Sequence, residues 1–136
     1  MRYYDWPERL FEAIRKAQGS EFKWGENDCA LFVCDCIMVM TEVDYAAKFR
    51  GKYTTRVGAM KALKKLEDVK SLSELADKCL GEKIDKSHAH RGDVVLLVDD
   101  SVEALGIVAG SYAVFLAPNG IQTILLSKCV CAWKVK

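Results

Sequence analysis

Between Cys29 and Met38 the chain reads Cys-Ala-Leu-Phe-Val-Cys-Asp-Cys-Ile-Met, an apolar run broken only by Asp35. It falls far short of the ~20 apolar residues that span a bilayer. As a helix it is apolar nearly all round, and a helix without a polar face must be surrounded by other elements. It therefore belongs in the middle of a core. Asp28, just before it, is a residue type that caps helix N-termini by accepting free backbone N–H groups.

The rest of the chain has to supply the surroundings. Asp5-Trp6-Pro7 opens an earlier helix, since proline is tolerated in a first turn. Leu10, Phe11, Ile14 and Ala17 form its apolar stripe, and Gly19 ends it. Residues 21–27 form a loop containing Trp24-Gly25, and residues 44–53 are irregular. Thr54 or Thr55 caps a third helix with Val57, Met60, Leu63 and Leu66 on one face. Ser71-Leu72-Ser73-Glu74 is a capping box for a short fourth helix that Gly81 terminates. After Arg91 the period changes. Short β-branched runs at 93–98, 104–109, 112–117, 121–126 and 129–135 alternate with turn signals such as Asp99-Asp100 and Pro118-Asn119-Gly120. Short links imply an antiparallel meander. Helices followed by strands predict an α+β fold with the helices packed on a five- or six-stranded antiparallel sheet. One domain over 1–136 is expected, mainly helical to residue 91 and mainly sheet from 92.

Composition narrows the function classes. The chain is 51% apolar and 29% charged, which is globular. Lys plus Arg is 20 against 19 for Asp plus Glu, so the basic excess of a nucleic-acid footprint is missing. Met1 to Asp5 lacks the apolar core of a signal peptide, so neither secretion by that route nor membrane insertion is expected. In that setting the six cysteines (Cys29, Cys34, Cys36, Cys79, Cys129 and Cys131) read as reduced thiols, mostly small buried hydrophobes. No cofactor is expected.

Cys29 is placed differently from the other five. It follows the helix cap, where free amides and the helix dipole favour negative charge and lower a thiol pKa. A nucleophilic cysteine is commonly activated this way. Cys34 and Cys36 lie deeper in the same helix.

A thiol at the start of a buried helix, followed by an antiparallel sheet, is the layout of papain-like cysteine peptidases. The chain resembles the compact NlpC branch of that superfamily. It resembles most a family of small phage and prophage domains related to NlpC peptidases. The resemblance rests on Trp24 with Asn27-Asp28-Cys29, Phe49-Arg50-Gly51-Lys52-Tyr53, Gly58-Ala59, Arg91-Gly92-Asp93-Val94-Val95, Ala104-Leu105-Gly106 and Cys131-Ala132-Trp133-Lys134-Val135, in that order. It implies a compact papain-like fold. It further implies a tail-tip or tail-hub component of a long-tailed phage, assembled in the bacterial host cytoplasm and carried in the virion. The implied partners are hub, tail-tip or central fibre proteins. Related active enzymes cut peptidoglycan peptides during DNA entry, which makes peptidoglycan a second implied partner.

The resemblance also implies a histidine at the start of the second strand, and there the chain has Ala104, or Leu105 if the register slips by one. Neither accepts a proton, so the Cys-His activation is lost. The third catalytic position falls on the strand from Tyr112 to Ala117, which offers only Tyr112. The leading expectation is therefore a degenerate peptidase relative with a structural role. Asn27 and Asp28 would form its helix cap and site rim. The alternative is an active peptidase or amidase. Cys29 would be its nucleophile, His88 or His90 its base if their loop folds over the thiol, and the Cys29 and Ala30 amides part of an oxyanion hole. A second alternative is a zinc module using His88, His90, Cys129 and Cys131, because i and i+2 share a strand face. Arg50, Lys52 and Tyr53 are candidates for an interaction loop, against the reading that this segment only covers the helices. Lys61, Lys64 and Lys65 form a basic helix face that reads as solvated.

Overall fold

The computed structural model describes residues 1–136. Four helices, α1 (Trp6–Gln18), α2 (Cys29–Thr41), α3 (Arg56–Glu67) and α4 (Leu72–Leu80), precede five strands. These are β1 (Val94–Asp99), β2 (Val102–Val108), β3 (Tyr112–Ala117), β4 (Gly120–Leu125) and β5 (Cys131–Trp133). The sheet order is β4-β3-β2-β1-β5, with every neighbouring pair antiparallel. The expected α+β architecture, with helices on a five-stranded antiparallel sheet, is the one formed.

Local chemistry sets most element ends. Asp28, Thr55 and Ser71 cap α2, α3 and α4, each accepting a backbone N–H from the residue three positions on. Glu74 reaches back as a capping-box residue does, but to the Lys70 N–H at 2.6 Å, one residue before the cap. α2 is enclosed as its composition demands, with α1 on one side and β2 and β3 on the other. The β1–β2 connection is a two-residue turn in which Asp100 and Ser101 both have positive φ. That twist matches the flanking strands.

Three expectations are corrected. The meander holds only through β4. The chain then crosses to the far edge, where Cys131 to Trp133 pair with Leu96 to Val94. On α1, Phe11 is 58% exposed while Leu10 and Ala17 are buried. On α3, Val57 is 65% and Met60 42% exposed, whereas Ala62 and Leu63 are buried. Both helices lie at the surface, so the buried arc is narrower than the apolar stripe.

Strand alternation divides the sheet into two faces. Val94, Leu96, Leu105, Ile107, Val114, Leu116, Cys131 and Trp133 pack with α1 and α2 in the main core. Val95, Val108, Ala113, Phe115 and Ala132 pack on the opposite face. A third cluster, built on Leu31, Ala46, Phe49, Ala62, Leu63 and Val69, ties α3 and the 44–53 segment to the outer side of α2.

The two termini are joined through a buried carboxylate. Asp93 is 1% exposed and accepts four hydrogen bonds. Arg2 Nη2 (3.0 Å) and the Val135 N–H (3.1 Å) donate to Oδ1. The His90 N–H and Lys134 Nζ (both 2.8 Å) donate to Oδ2. Arg2 also donates to the carbonyls of Val135 and Arg91, and its guanidinium lies 4.3 Å from the Trp6 ring centroid. No helix is long and apolar enough to cross a membrane.

Candidate functional site

The start of α2 is held by a small buried polar network. Asp28, 1% exposed, accepts the Leu31 N–H on Oδ1 at 3.0 Å. Its Oδ2 accepts the Gly25 N–H at 3.0 Å and the Tyr53 hydroxyl at 2.6 Å. Burial first, and the Asp28 carboxylate second, push the Tyr53 hydroxyl far above its ordinary value, so it stays a donor. Asn27 donates through Nδ2 to Ser20 Oγ and the Glu21 carbonyl. Asn27 and Asp28 therefore hold the loop that leads into α2, with Asp28 as the helix cap.

Tyr53 reaches Asp28 because the 44–53 segment folds down onto α2. Phe49 is buried in the outer cluster. Arg50 Nη2 bridges Asp35 at 2.8 Å and Asp44 at 3.0 Å. The Gly51 N–H donates to the Gly25 carbonyl at 2.8 Å. Two of the three candidate interaction residues thus have intramolecular partners, and only Lys52 projects without one. The segment covers the outer side of α2.

Cys29 follows this network, partly accessible, with its thiol against β2. The β2–β3 pairing runs only over Ile107↔Val114 and Val108↔Ala113, so Leu105 is paired to Leu96 of β1 alone, and its backbone N–H lies by the Cys29 thiol at the start of α2. Desolvation, then the neighbouring Asp28 carboxylate, push the Cys29 thiol up from 9.0 to about 11. The backbone N–H groups of Leu105, Ala30 and Cys29 pull the other way and are outweighed. The thiol-lowering effect expected of this position is thereby overturned, because burial beside a carboxylate exceeds what the helix terminus supplies. At neutral pH the thiol therefore stays protonated.

A pH profile checks this. Alkylation of Cys29 by iodoacetamide should rise about tenfold per pH unit from 7 to 10, with no plateau near neutrality. Burial raises Cys34 as well, to about 12. Above the ordinary thiol value the folded state keeps protons that the unfolded chain has released, so stability must fall with rising pH between about 9 and 12. Urea midpoints that stay level through that window would contradict it.

Strand parity decides which β2 residue faces the thiol. Leu105 points to the helices with Ile107, and Ala104 points to the opposite face. Leu105, not Ala104, therefore stands opposite Cys29. His88 and His90 are exposed at the entry to β1, and neither lines the cleft beside Cys29. The His90 ring meets Lys134 Nζ at 2.8 Å, on the terminal network. Tyr112 is also exposed and outside the cleft. The structure thus does not bring the proposed bases to the nucleophile position.

The four zinc candidates do not converge either. Cys129 packs on one face of the sheet and Cys131 on the other, since the strand begins only at Cys131. No three His, Cys, Asp or Glu side chains come together to hold a metal ion. Lys64 pairs with Asp68, and Lys61 and Lys65 are exposed on the outer face of α3.

The cleft itself was not legible beforehand. It holds about 470 Å³ between α2, α3, α4 and β2, and its walls are mostly apolar. Its residues come from five separate segments, and Val94, Leu105, Leu75 and Leu80 each read locally as ordinary core.

A family described as "Domain of unknown function (DUF6950)" matches residues 1–135. The chain belongs to the DUF6950 family. No curated protein matches it in sequence. Among solved structures, this DUF6950 domain is similar to the NlpC/p60 domain of the peptidoglycan hydrolase SagA, with a TM-score of 0.57 and 15% identity. The match covers 93% of this chain and 97% of the other. The DUF6950 domain has an NlpC-like, papain-like fold, as the order of its motifs implied.

Proposed function

We propose that this DUF6950 domain is an NlpC-fold protein without peptidase activity that serves as a structural component of a phage tail tip or hub. The observation that carries the loss of activity is Leu105 opposite Cys29, with neither histidine in the cleft. A thiol held up at about 11, with no base beside it, is a poor nucleophile at neutral pH. The SagA domain named above comes from a peptidoglycan hydrolase, so the fold supports descent from such enzymes. The tail role draws its support from the six ordered motifs between Trp24 and Val135. Its partners would be neighbouring hub, tail-tip or central fibre proteins, met in the host cytoplasm during assembly and retained in the virion.

Two measurements test the two halves. Purified protein incubated with muropeptides should release no product; hydrolysis that Cys29→Ala abolishes would instead establish the active peptidase. Co-expression with the neighbouring tail proteins should yield a stable complex, and a monomer with no affinity for any of them would sink the assembly role. The variant Leu105→His provides a further prediction. It places an imidazole opposite the sulfur, so iodoacetamide should alkylate Cys29 roughly tenfold faster at pH 7 than in the parent. An unchanged rate would mean that Leu105 does not occupy the base position.

A further inference from the structure

The two edges of the sheet are finished differently. At the β5 edge the chain seals itself. The Ile84 N–H donates to the Ala132 carbonyl at 2.8 Å, and the Ala132 N–H donates back to the Ile84 carbonyl at 3.0 Å. The β4 edge has no such cover. β4 pairs with β3 without a bulge, from Ala117↔Gly120 to Tyr112↔Leu125. The Leu126 N–H donates to the Ser111 carbonyl, which fixes the phase of this ladder. Gly120, Gln122 and Ile124 therefore turn their backbone groups to β3, and Ile121, Thr123 and Leu125 turn theirs outward. None of these outward groups has a hydrogen-bond partner.

Proteins blunt a free edge with a charge, a proline, a bulge or a covering segment. β4, reading Gly-Ile-Gln-Thr-Ile-Leu, has none of these. Thr123 and Leu125 are exposed, Leu125 by 57%. The edge is also its own complement. Turned about a two-fold axis at Thr123, it meets a second copy with Thr123 against Thr123 and Ile121 against Leu125 on both sides of the axis. Each outward residue offers one N–H and one carbonyl, so this register satisfies every one of them at once. The same axis sets Lys128, the nearest charged residue in sequence, at the Pro118 end of the second copy's strand, so no like charges meet. A net charge of +1 adds little repulsion between whole chains.

We propose that β4 is a homodimerisation strand, joining two copies of this chain β4 to β4, antiparallel about Thr123, in one continuous sheet. Because Ile84 seals the β5 edge, the only open edge a second copy can present is another β4. Pairing then leaves no edge for a third copy, so association closes at two and does not grow into a fibre. An extended segment of another protein would use the same backbone groups. The symmetric, uncharged register is what singles out a second copy. The pairing concerns β4 alone and holds whether or not Cys29 is reactive or the protein sits in a tail.

Sedimentation equilibrium of the full chain between about 5 and about 500 μM should follow a monomer–dimer equilibrium with a Kd on the order of 50 μM, as suits so small an interface. Thr123→Lys, at an exposed position, sets two ammonium groups against each other at the axis and should weaken the dimer roughly tenfold or more. Thr123→Pro removes an N–H that β3 does not use, so the chain should stay folded and become monomeric. Single cysteines read the register. Oxidation in air with copper-phenanthroline should link Thr123→Cys through residue 123 of both copies, as located by mass spectrometry, because directly opposed Cα atoms lie ~5.5 Å apart. Leu125→Cys should not link through residue 125, whose two copies stand roughly 14 Å apart. If Thr123→Pro does not fold, the lysine variant and the cross-links still decide. A monomer throughout the range, a dimer that Thr123→Lys leaves intact, or linkage at 125 in place of 123 would each overturn the proposal.

Discussion

Replacing Asp93 with alanine is expected to lower the stability of the fold by about 3–5 kcal/mol, the range for removing one partner of a buried charged network. The carboxylate is 1% exposed and accepts from Arg2, His90, Lys134 and Val135. Its loss leaves two cations facing each other and two backbone N–H groups without acceptors. The consequence is not local. Arg2 brings the chain start to Trp6 and α1, while Lys134 and Val135 bring in the chain end beside β1. Urea unfolding should show the loss as a lower midpoint with an unchanged slope. Asp93→Asn keeps an acceptor oxygen and should recover part of it. A midpoint in Asp93→Ala within error of the parent would mean that water replaces all four bonds and the network holds nothing.

Gly25→Ala should be as damaging, through sterics. Gly25 has φ +83°, and a Cβ built there would lie 1.9 Å from the Tyr53 carbonyl oxygen. That atom is backbone and cannot swing away. The 51–53 segment would have to lift, breaking the Gly51 N–H bond to the Gly25 carbonyl and pulling the Tyr53 hydroxyl from Asp28. A cost of about 3–5 kcal/mol is expected, combining the left-handed backbone with the lost bonds. Gly51→Ala is the comparison. Gly51 has φ +73° but nothing within 4 Å of its Cβ direction, so only about 1–2 kcal/mol of backbone strain applies. Thermal unfolding of the pair separates the two terms, and equal losses would refute the steric account. Because the same contact holds Asp28, Gly25→Ala should also expose Cys29 and speed its alkylation.

What could be read ahead of the structure was local. Asp28, Thr55 and Ser71 announce three helix starts because a cap acts within three residues of itself. The change from a 3.6 to a 2 period after Arg91 announces the sheet for the same reason. The order of Asn27-Asp28-Cys29, Arg91-Gly92-Asp93 and Ala104-Leu105-Gly106 was enough to imply the NlpC-like fold. Where reading failed, the deciding partner was remote in sequence. Phe11 and Met60 belong to apolar stripes, yet nothing packs against the edges where they lie. β5 is a run like the others, but the unpaired edge of β1, some 35 residues earlier, captures it.

The same division runs through the candidate site. The sequence alone determined that Cys29 opens a core helix behind an aspartate cap, and that the two histidines, His88 and His90, both precede the strands. Only the tertiary structure decided between Ala104 and Leu105, because a one-residue shift of strand register exchanges the two sheet faces. It alone decided that the thiol is raised rather than lowered, because desolvation depends on everything packed around the sulfur while the helix terminus is visible in one residue. And it alone made the apolar cleft, a volume bounded by segments from Trp24 to Leu105 that no local pattern describes.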